Sequence, residues 1–111
     1  MEYTVLIIEP DLLQGKQIAR ALVQAGYDAI IASVAGEALR QLYQVRPDAV
    51  IFSERLSMDE LNQLSERITT VCDLPLISLD NHIPSVLVTQ QFVRSATLEE
   101  LPDVLDGLLK G

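Results

Sequence analysis

Cysteine is nearly absent from this sequence: Cys72 is the only one in 111 residues, so no disulfide can form within the chain. Its neighbours Thr69, Thr70, Val71, Asp73 and Leu74 supply neither the base nor the cation that a reactive thiol needs, and Cys72 reads as a small apolar residue. The single histidine, His82, has no second His or Cys near it in sequence, which argues against a metal site. Lys and Arg number 8 against 16 Asp and Glu, a net charge of −8. No run of cations forms a stripe, and phosphate contacts to DNA or RNA need one, so direct nucleic-acid binding is not expected. Although 49% of the residues are hydrophobic, no stretch reaches the roughly 18 consecutive apolar residues of a membrane span. Met1 to Ile8 lacks the basic n-region and long h-region of a signal peptide, and a cytoplasmic location is expected. Repeats, linkers and low-complexity stretches are also missing. One domain over residues 1–111 is the expectation.

What is present is an alternation of short apolar runs with helical periodicity. Thr4 to Ile8 is too short and too apolar for a helix and reads as a buried strand. Asp11 is a good N-cap for a helix carrying Leu12, Ile18, Ala19, Leu22 and Val23 at helical spacing, with Gly26 as the residue that ends it. A second strand spans Tyr27 to Ala32. Ser33 is the expected cap of a helix with Leu39, Leu42 and Tyr43 on one face, ending before Pro47. Tyr27 and Tyr43 read as packing residues. Ala49 to Ser53 is a third strand, and Leu61, Leu64, Ile68 and Val71 mark a third helix. Pro75 to Leu79 and Gln91 to Arg94 are the fourth and fifth strands. Thr97 caps a last helix with Leu101, Val104, Leu105 and Leu108, Pro102 falling in its first turn where a missing N–H costs least.

Strands alternating with helices imply right-handed crossovers and a parallel sheet covered on both faces. The expected architecture is α/β, a five-stranded parallel sheet in the order 2-1-3-4-5 with helices on both faces. Between strands four and five, residues 80–90 contain Pro84 and several β-branched residues, so the fourth helix is expected to be absent or shortened. Val86, Leu87 and Val88 in that connection would then cover the sheet edge or form an exposed partner patch. The functional crevice of such a sheet lies beyond the carboxyl ends of its strands, at Ile8-Glu9-Pro10, Phe52-Ser53-Glu54, Leu79-Asp80-Asn81 and Val93-Arg94-Ser95.

These segments resemble the receiver domains of bacterial response regulators along nearly the whole chain. The resemblance rests on Val5-Leu-Ile-Ile-Glu9-Pro-Asp11, Gly26-Tyr27, Arg46-Pro-Asp-Ala-Val-Ile-Phe-Ser53, Pro75-Leu-Ile-Ser-Leu79, Phe92-Val-Arg94 and Leu98-Glu-Glu-Leu101. In that family an acidic pair and an Asp bind Mg²⁺, the Asp accepts phosphate, and a Ser or Thr and a Lys read the phosphoryl group. Carried onto this chain, the acidic pair falls on Glu9 and Pro10, the phosphoacceptor on Ser53, the Ser/Thr on Asp80 and the Lys on Arg94. Pro10 cannot ligate a metal, Ser53 lacks the carboxylate an aspartyl phosphate needs, and Asp80 would repel phosphate.

The resemblance therefore implies a degenerate pseudo-receiver: no enzyme, no metal, no cofactor, and a protein-interaction role in signal transduction or transcription regulation. Partners are expected to be a protein or an output domain outside this chain, or a second copy in a homodimer using the strand-five edge and last helix. An internal ion pair is the expected substitute for the lost chemistry, with Arg94 facing Glu9 and Asp80. Asp11 is expected to cap its helix rather than ligate metal. One alternative is unorthodox phosphorylation on Ser53 or Glu54. Another is a small-ligand flavodoxin-like domain, disfavoured because the loop after strand one has no glycine before Gly15, inside the helix, to cradle a phosphate.

Overall fold

The computed structural model describes residues 3–53, 56, 59, 63, 64, 66, 67, 75–79 and 93–110. Four strands, β1 (Thr4–Ile8), β2 (Asp28–Ala32), β3 (Ala49–Phe52) and β4 (Leu76–Leu79), lie in the order β2-β1-β3-β4, all parallel, as expected from the alternation. Beside β4, Val93–Ala96 forms β5, also parallel. Tyr27 and Ser53 stand just outside β2 and β3 rather than within them, and β5 runs two residues beyond the expected end at Arg94.

Rows of branched side chains pair across the sheet. Ile7, Ile51 and Ile77 share one register row, and Leu6 pairs with Val50 and Val50 with Leu76 on the next. Because successive residues point to opposite faces, the strands feed two cores. Leu6, Ile8, Val50, Phe52 and Leu76 pack with Ala38 and Leu42 of α2 (Ala35–Gln44) and with Leu56 and Leu64. Val5, Ile7, Ile51, Ile77 and Leu79 pack with Ile18 and Leu22 of α1 (Leu12–Gln24) and with Leu101 and Leu105 of α3 (Leu101–Leu105). Helices thus cover both faces, which is why the strands carry no polar alternation.

Four local expectations are corrected. The α1 line that is buried is Gly15, Ile18 and Leu22, whereas Leu12 and Val23 are 55% and 60% exposed; they flank the stripe instead of belonging to it. Tyr43 is exposed while Leu42 is buried. The cap of α2 is Val34, in extended conformation and with no side-chain cap bond, because β2 ends at Ala32 and the chain needs Ser33 and Val34 to turn out of the sheet. Thr97 caps a turn rather than α3 itself: its N–H and hydroxyl donate to Glu100 Oε1 at 3.1 and 2.9 Å, and the Glu100 N–H donates back to Thr97 Oγ1 at 3.3 Å. This is a reciprocal capping box, and the bond to Thr97 holds the Glu100 carboxyl below the usual range. The expected third helix is seen in Asp59, Gln63, Leu64, Glu66 and Arg67, all helical. Leu61, Ile68, Val71, Cys72, His82 and the connection 80–90 lie outside the described residues.

After α2 the chain turns through Arg46, whose φ of 56° is left-handed. A residue with a Cβ is strained there and glycine is not. Arg46→Gly is expected to stabilise the domain by about 0.5–1 kcal/mol, the relief of strain exceeding the added freedom of the unfolded chain. Urea denaturation checks this, and a lower midpoint would contradict it.

At the amino edge of the sheet, Tyr27 is buried, its ring lies tilted at 6.3 Å from that of Tyr3, and its hydroxyl donates a hydrogen bond to Asp106 Oδ1. Lys110 Nζ lies 3.5 Å from the same carboxylate and 5.0 Å from the Tyr27 ring centre. Asp106–Lys110 forms a π-helical turn continuing α3, a wider turn that these contacts help hold in place. Burial, then the Asp106 hydrogen bond and charge, raise the Tyr27 phenol well above its ordinary 10.0. A raised folded-state value means that this contribution is complete below about pH 10 and disappears as pH rises through the folded value. Tyr27→Phe is expected to cost about 1 kcal/mol at neutral pH and to flatten the alkaline fall in stability. Thermal unfolding from neutral to alkaline pH checks both; an unchanged alkaline slope in the variant would contradict the assignment.

Candidate functional site

At the carboxyl edge the parallel ladder continues one residue past β1 and β3. The Glu9 N–H donates to the Ala32 carbonyl at 3.0 Å and the Ser53 N–H to the Ile8 carbonyl at 3.1 Å. Since Ile8 pairs with Phe52, the next residues, Glu9 and Ser53, come side by side. Their side chains meet: Ser53 Oγ donates to Glu9 Oε2 at 2.8 Å. Both are buried, Glu9 at 1% and Ser53 at 4% exposure. The same Glu9 oxygen accepts the Asp11 N–H at 3.3 Å.

Burying a carboxylate is costly unless it is hydrogen-bonded, and the local fold supplies the bonds. Pro10 is exposed and turns the chain. Asp11 then starts α1, its Oδ1 accepting the Leu13 and Gln14 N–H groups at 3.0 and 3.4 Å. Asp11 is therefore the N-cap expected of it. Gly15, one turn on, lets α1 close over the site: a Cβ there would stand 3.0 Å from Ile31 Cγ2 and 3.7 Å from Glu9 Cβ. Among the described residues no buried side-chain polar atom is left without a partner.

Of the five predicted site positions, two are brought into contact, Glu9 and Ser53, while Pro10 follows Glu9 in the chain and is exposed. Asp80, like Glu54, lies outside the described residues. Arg94 is in β5 with its Cα paired to that of Ile77, two residues before the strand ends. The Glu9–Ser53 bond was not anticipated from the sequence, though its signal was there. Once strands one and three are neighbours in parallel register, the residues following them must be neighbours too.

Comparison of the sequence with protein-family models and with curated proteins finds no match. Solved structures do match. A two-component response regulator from Clostridium difficile superposes with a TM-score of 0.81 at 20% identity, over 98% of this chain and 97% of that one. The fold is that of a receiver domain. The N-terminal domain of a response regulator/sensory box/GGDEF protein from Carboxydothermus hydrogenoformans matches at 0.69 and 24% identity, covering 96% and 90% of the two chains. NtrX from Brucella abortus matches at 0.75 and 16% identity, over 99% of this chain but 27% of its own.

Mg²⁺, which a receiver fold implies, wants an octahedral set of hard oxygens. Here one oxygen of Glu9 is already engaged by Ser53 and Asp11, the Asp11 carboxylate is turned to its own helix, and Pro10 brings no ligand. Among the described residues no group of three or more His, Cys, Asp and Glu could hold a metal ion. The donor set of the described edge does not fit the ion. Among the described residues, too, no helix is long and apolar enough to cross a membrane.

Proposed function

We propose that this receiver-fold domain is a cytoplasmic protein-interaction module of a signalling pathway, one that works without phosphorylation and catalyses no reaction. The observation that carries the reading is the buried Ser53–Glu9 hydrogen bond. Ser53 stands where the resemblance puts the phosphoacceptor, and its hydroxyl satisfies the carboxylate that would otherwise be available to a metal. A neutral donor in that place gives the edge one stable arrangement without added charge. Arg94 is the cation proposed to balance Glu9 and Asp80 across the rest of the edge. The size difference from NtrX, in which the matching part is 27% of the chain, supports an output or partner domain outside these residues.

Incubation with acetyl phosphate and Mg²⁺ followed by intact-mass spectrometry tests the reading. The expected result is an unchanged mass; addition of one phosphoryl group would overturn it. A second reading has one observation in its favour. A serine hydroxyl donating to a carboxylate at 2.8 Å is also the arrangement of a nucleophile with its base, so a phosphoryl group on Ser53 in that experiment would support a receiver of unorthodox chemistry. At 4% exposure, Ser53 offers an attacking phosphodonor little approach.

A further inference from the structure

The C-terminal segment carries the apolar pattern of one continuous α-helix. Leu101, Val104, Leu105, Leu108 and Leu109 fall at the i, i+3, i+4, i+7 and i+8 positions of a single stripe. The chain does not follow that pattern to its end. After α3 the turn Asp106–Lys110 is π-helical, its bonds spanning five residues instead of four. The register therefore slips by one residue. In an α continuation Leu109 would stand one turn beyond the buried Leu105. In the π turn Lys110 takes that line, and Leu108 and Leu109 are half-buried at the margin of the core. Nothing within the turn demands the slip. Pro102 lies at the start of α3, and Gly107 has no left-handed φ, while a Cβ there would meet open space. The gain is tertiary: the slip carries Lys110 Nζ to 5.0 Å from the Tyr27 ring centre and 3.5 Å from Asp106 Oδ1, the oxygen that accepts the Tyr27 hydroxyl.

We infer that Tyr27, Asp106 and Lys110 form a latch that holds the last turn in the π register, and that opening the latch lets the turn rewind as α-helix. The two registers compete because each satisfies something the other gives up. The α form returns Leu109 to the apolar stripe, and the π form keeps the contacts to Tyr27. A local pattern overruled by one tertiary contact is the mark of an element with two arrangements. The Asp106 side chain is 49% exposed, so a cation from outside the domain can reach it. Whatever draws that carboxylate away from Tyr27 favours the α register. One residue of slip turns the chain beyond Lys110 by about 100°. The inference rests on the proposed function only for the use of that rotation, which would reorient an output domain joined there.

Nuclear magnetic resonance couplings across the backbone hydrogen bonds of the intact chain test it, with circular dichroism to confirm that each variant is folded. In the wild type the Lys110 N–H is expected to couple to the Leu105 carbonyl, five residues back. Asp106→Ala removes the acceptor of the Tyr27 hydroxyl and the partner of Lys110 together. Tyr27→Phe with Lys110→Ala removes the same contacts and leaves Asp106 in place. In both variants the N–H of residue 110 is expected to couple instead to the carbonyl of residue 106, the ratio of α to π register rising by at least about 10-fold. A wild type already coupled in the α register would overturn the inference. So would either variant that keeps the Leu105 coupling, or a last turn that frays with no coupling at all. No phosphodonor or metal enters this experiment, so its failure leaves the phosphorylation-free reading intact, and a phosphoryl adduct at Ser53 would leave the latch intact.

Discussion

Ser53→Asp is expected to destabilise the domain by about 3–5 kcal/mol at neutral pH, the range for an uncompensated buried charge. In the native protein Ser53 Oγ sits 2.8 Å from Glu9 Oε2 and donates to it. A carboxylate in its place removes that donor and brings a second negative charge against a side chain that is 1% exposed. Two such groups cannot both ionise cheaply, and one is driven to hold its proton at higher pH than usual. The sign follows. A carboxyl raised in the folded state penalises folding above its ordinary value, so the deficit should be full at pH 7 and shrink as pH falls toward about 4. Ser53→Asn, similar in size but uncharged, should show a smaller loss with little pH dependence. Urea unfolding of the three proteins at both pH values reads the difference. An aspartate variant as stable as wild type at neutral pH would mean that the edge tolerates two carboxylates.

A loss of similar size is expected from Phe52→Ala. Phe52 is 1% exposed, on the central strand β3, and belongs to the cluster of Ile8, Val50, Leu56 and Leu64. Truncating a buried phenylalanine typically costs about 3–5 kcal/mol through lost burial and the cavity left behind. Small domains have only about 5–15 kcal/mol in total, so a large share of the variant would unfold under mild denaturant. Because Phe52 immediately precedes Ser53, loosening it should also speed hydrogen exchange of the Ser53 N–H, which bonds the Ile8 carbonyl. A shifted urea midpoint with an unchanged slope is the expected signature; a loss under about 1 kcal/mol would show that this side of the sheet is less tightly packed than the described contacts indicate.

The sheet order was legible because continuous apolar strands separated by amphipathic helices leave few other solutions. Asp11 was legible as a cap because an Asp just ahead of an apolar helical repeat has one obvious task. Element edges were less legible. Ser33 has the chemistry of a cap, but the place where the chain leaves β2 fixes the start of α2 one residue later. The Thr97–Glu100 box could have been read from its T-x-x-E spacing, whereas Asp106 reaching back 79 residues to Tyr27 could not, since no local pattern encodes it. Leu12, Val23 and Tyr43 were placed in the core because periodicity identifies a face only to within about one residue position.

At the site, the resemblance named the positions Glu9, Pro10, Ser53, Asp80 and Arg94, but not the bond that joins Glu9 to Ser53. Charge arithmetic pointed to Arg94 as the partner of Glu9, since an acid near a cation is the simplest pairing. The described bonds to Glu9 come from a serine hydroxyl and a backbone N–H, and the proposed pairing of Arg94 with Glu9 and Asp80 would add to them. Hydrogen bonds from small neutral donors leave no charge signature in a sequence, and only the register of β1 against β3 brings this pair together.

The central claim, that the carboxyl edge neither grips a divalent ion nor takes up a phosphoryl group, is met most directly by nuclear magnetic resonance of the amide groups during titration with Mg²⁺ and beryllofluoride. The account predicts that Glu9, Asp11 and Ser53 keep their resonance positions up to millimolar ion. Saturable shifts centred on those three residues, spreading to β4 and β5, would contradict it.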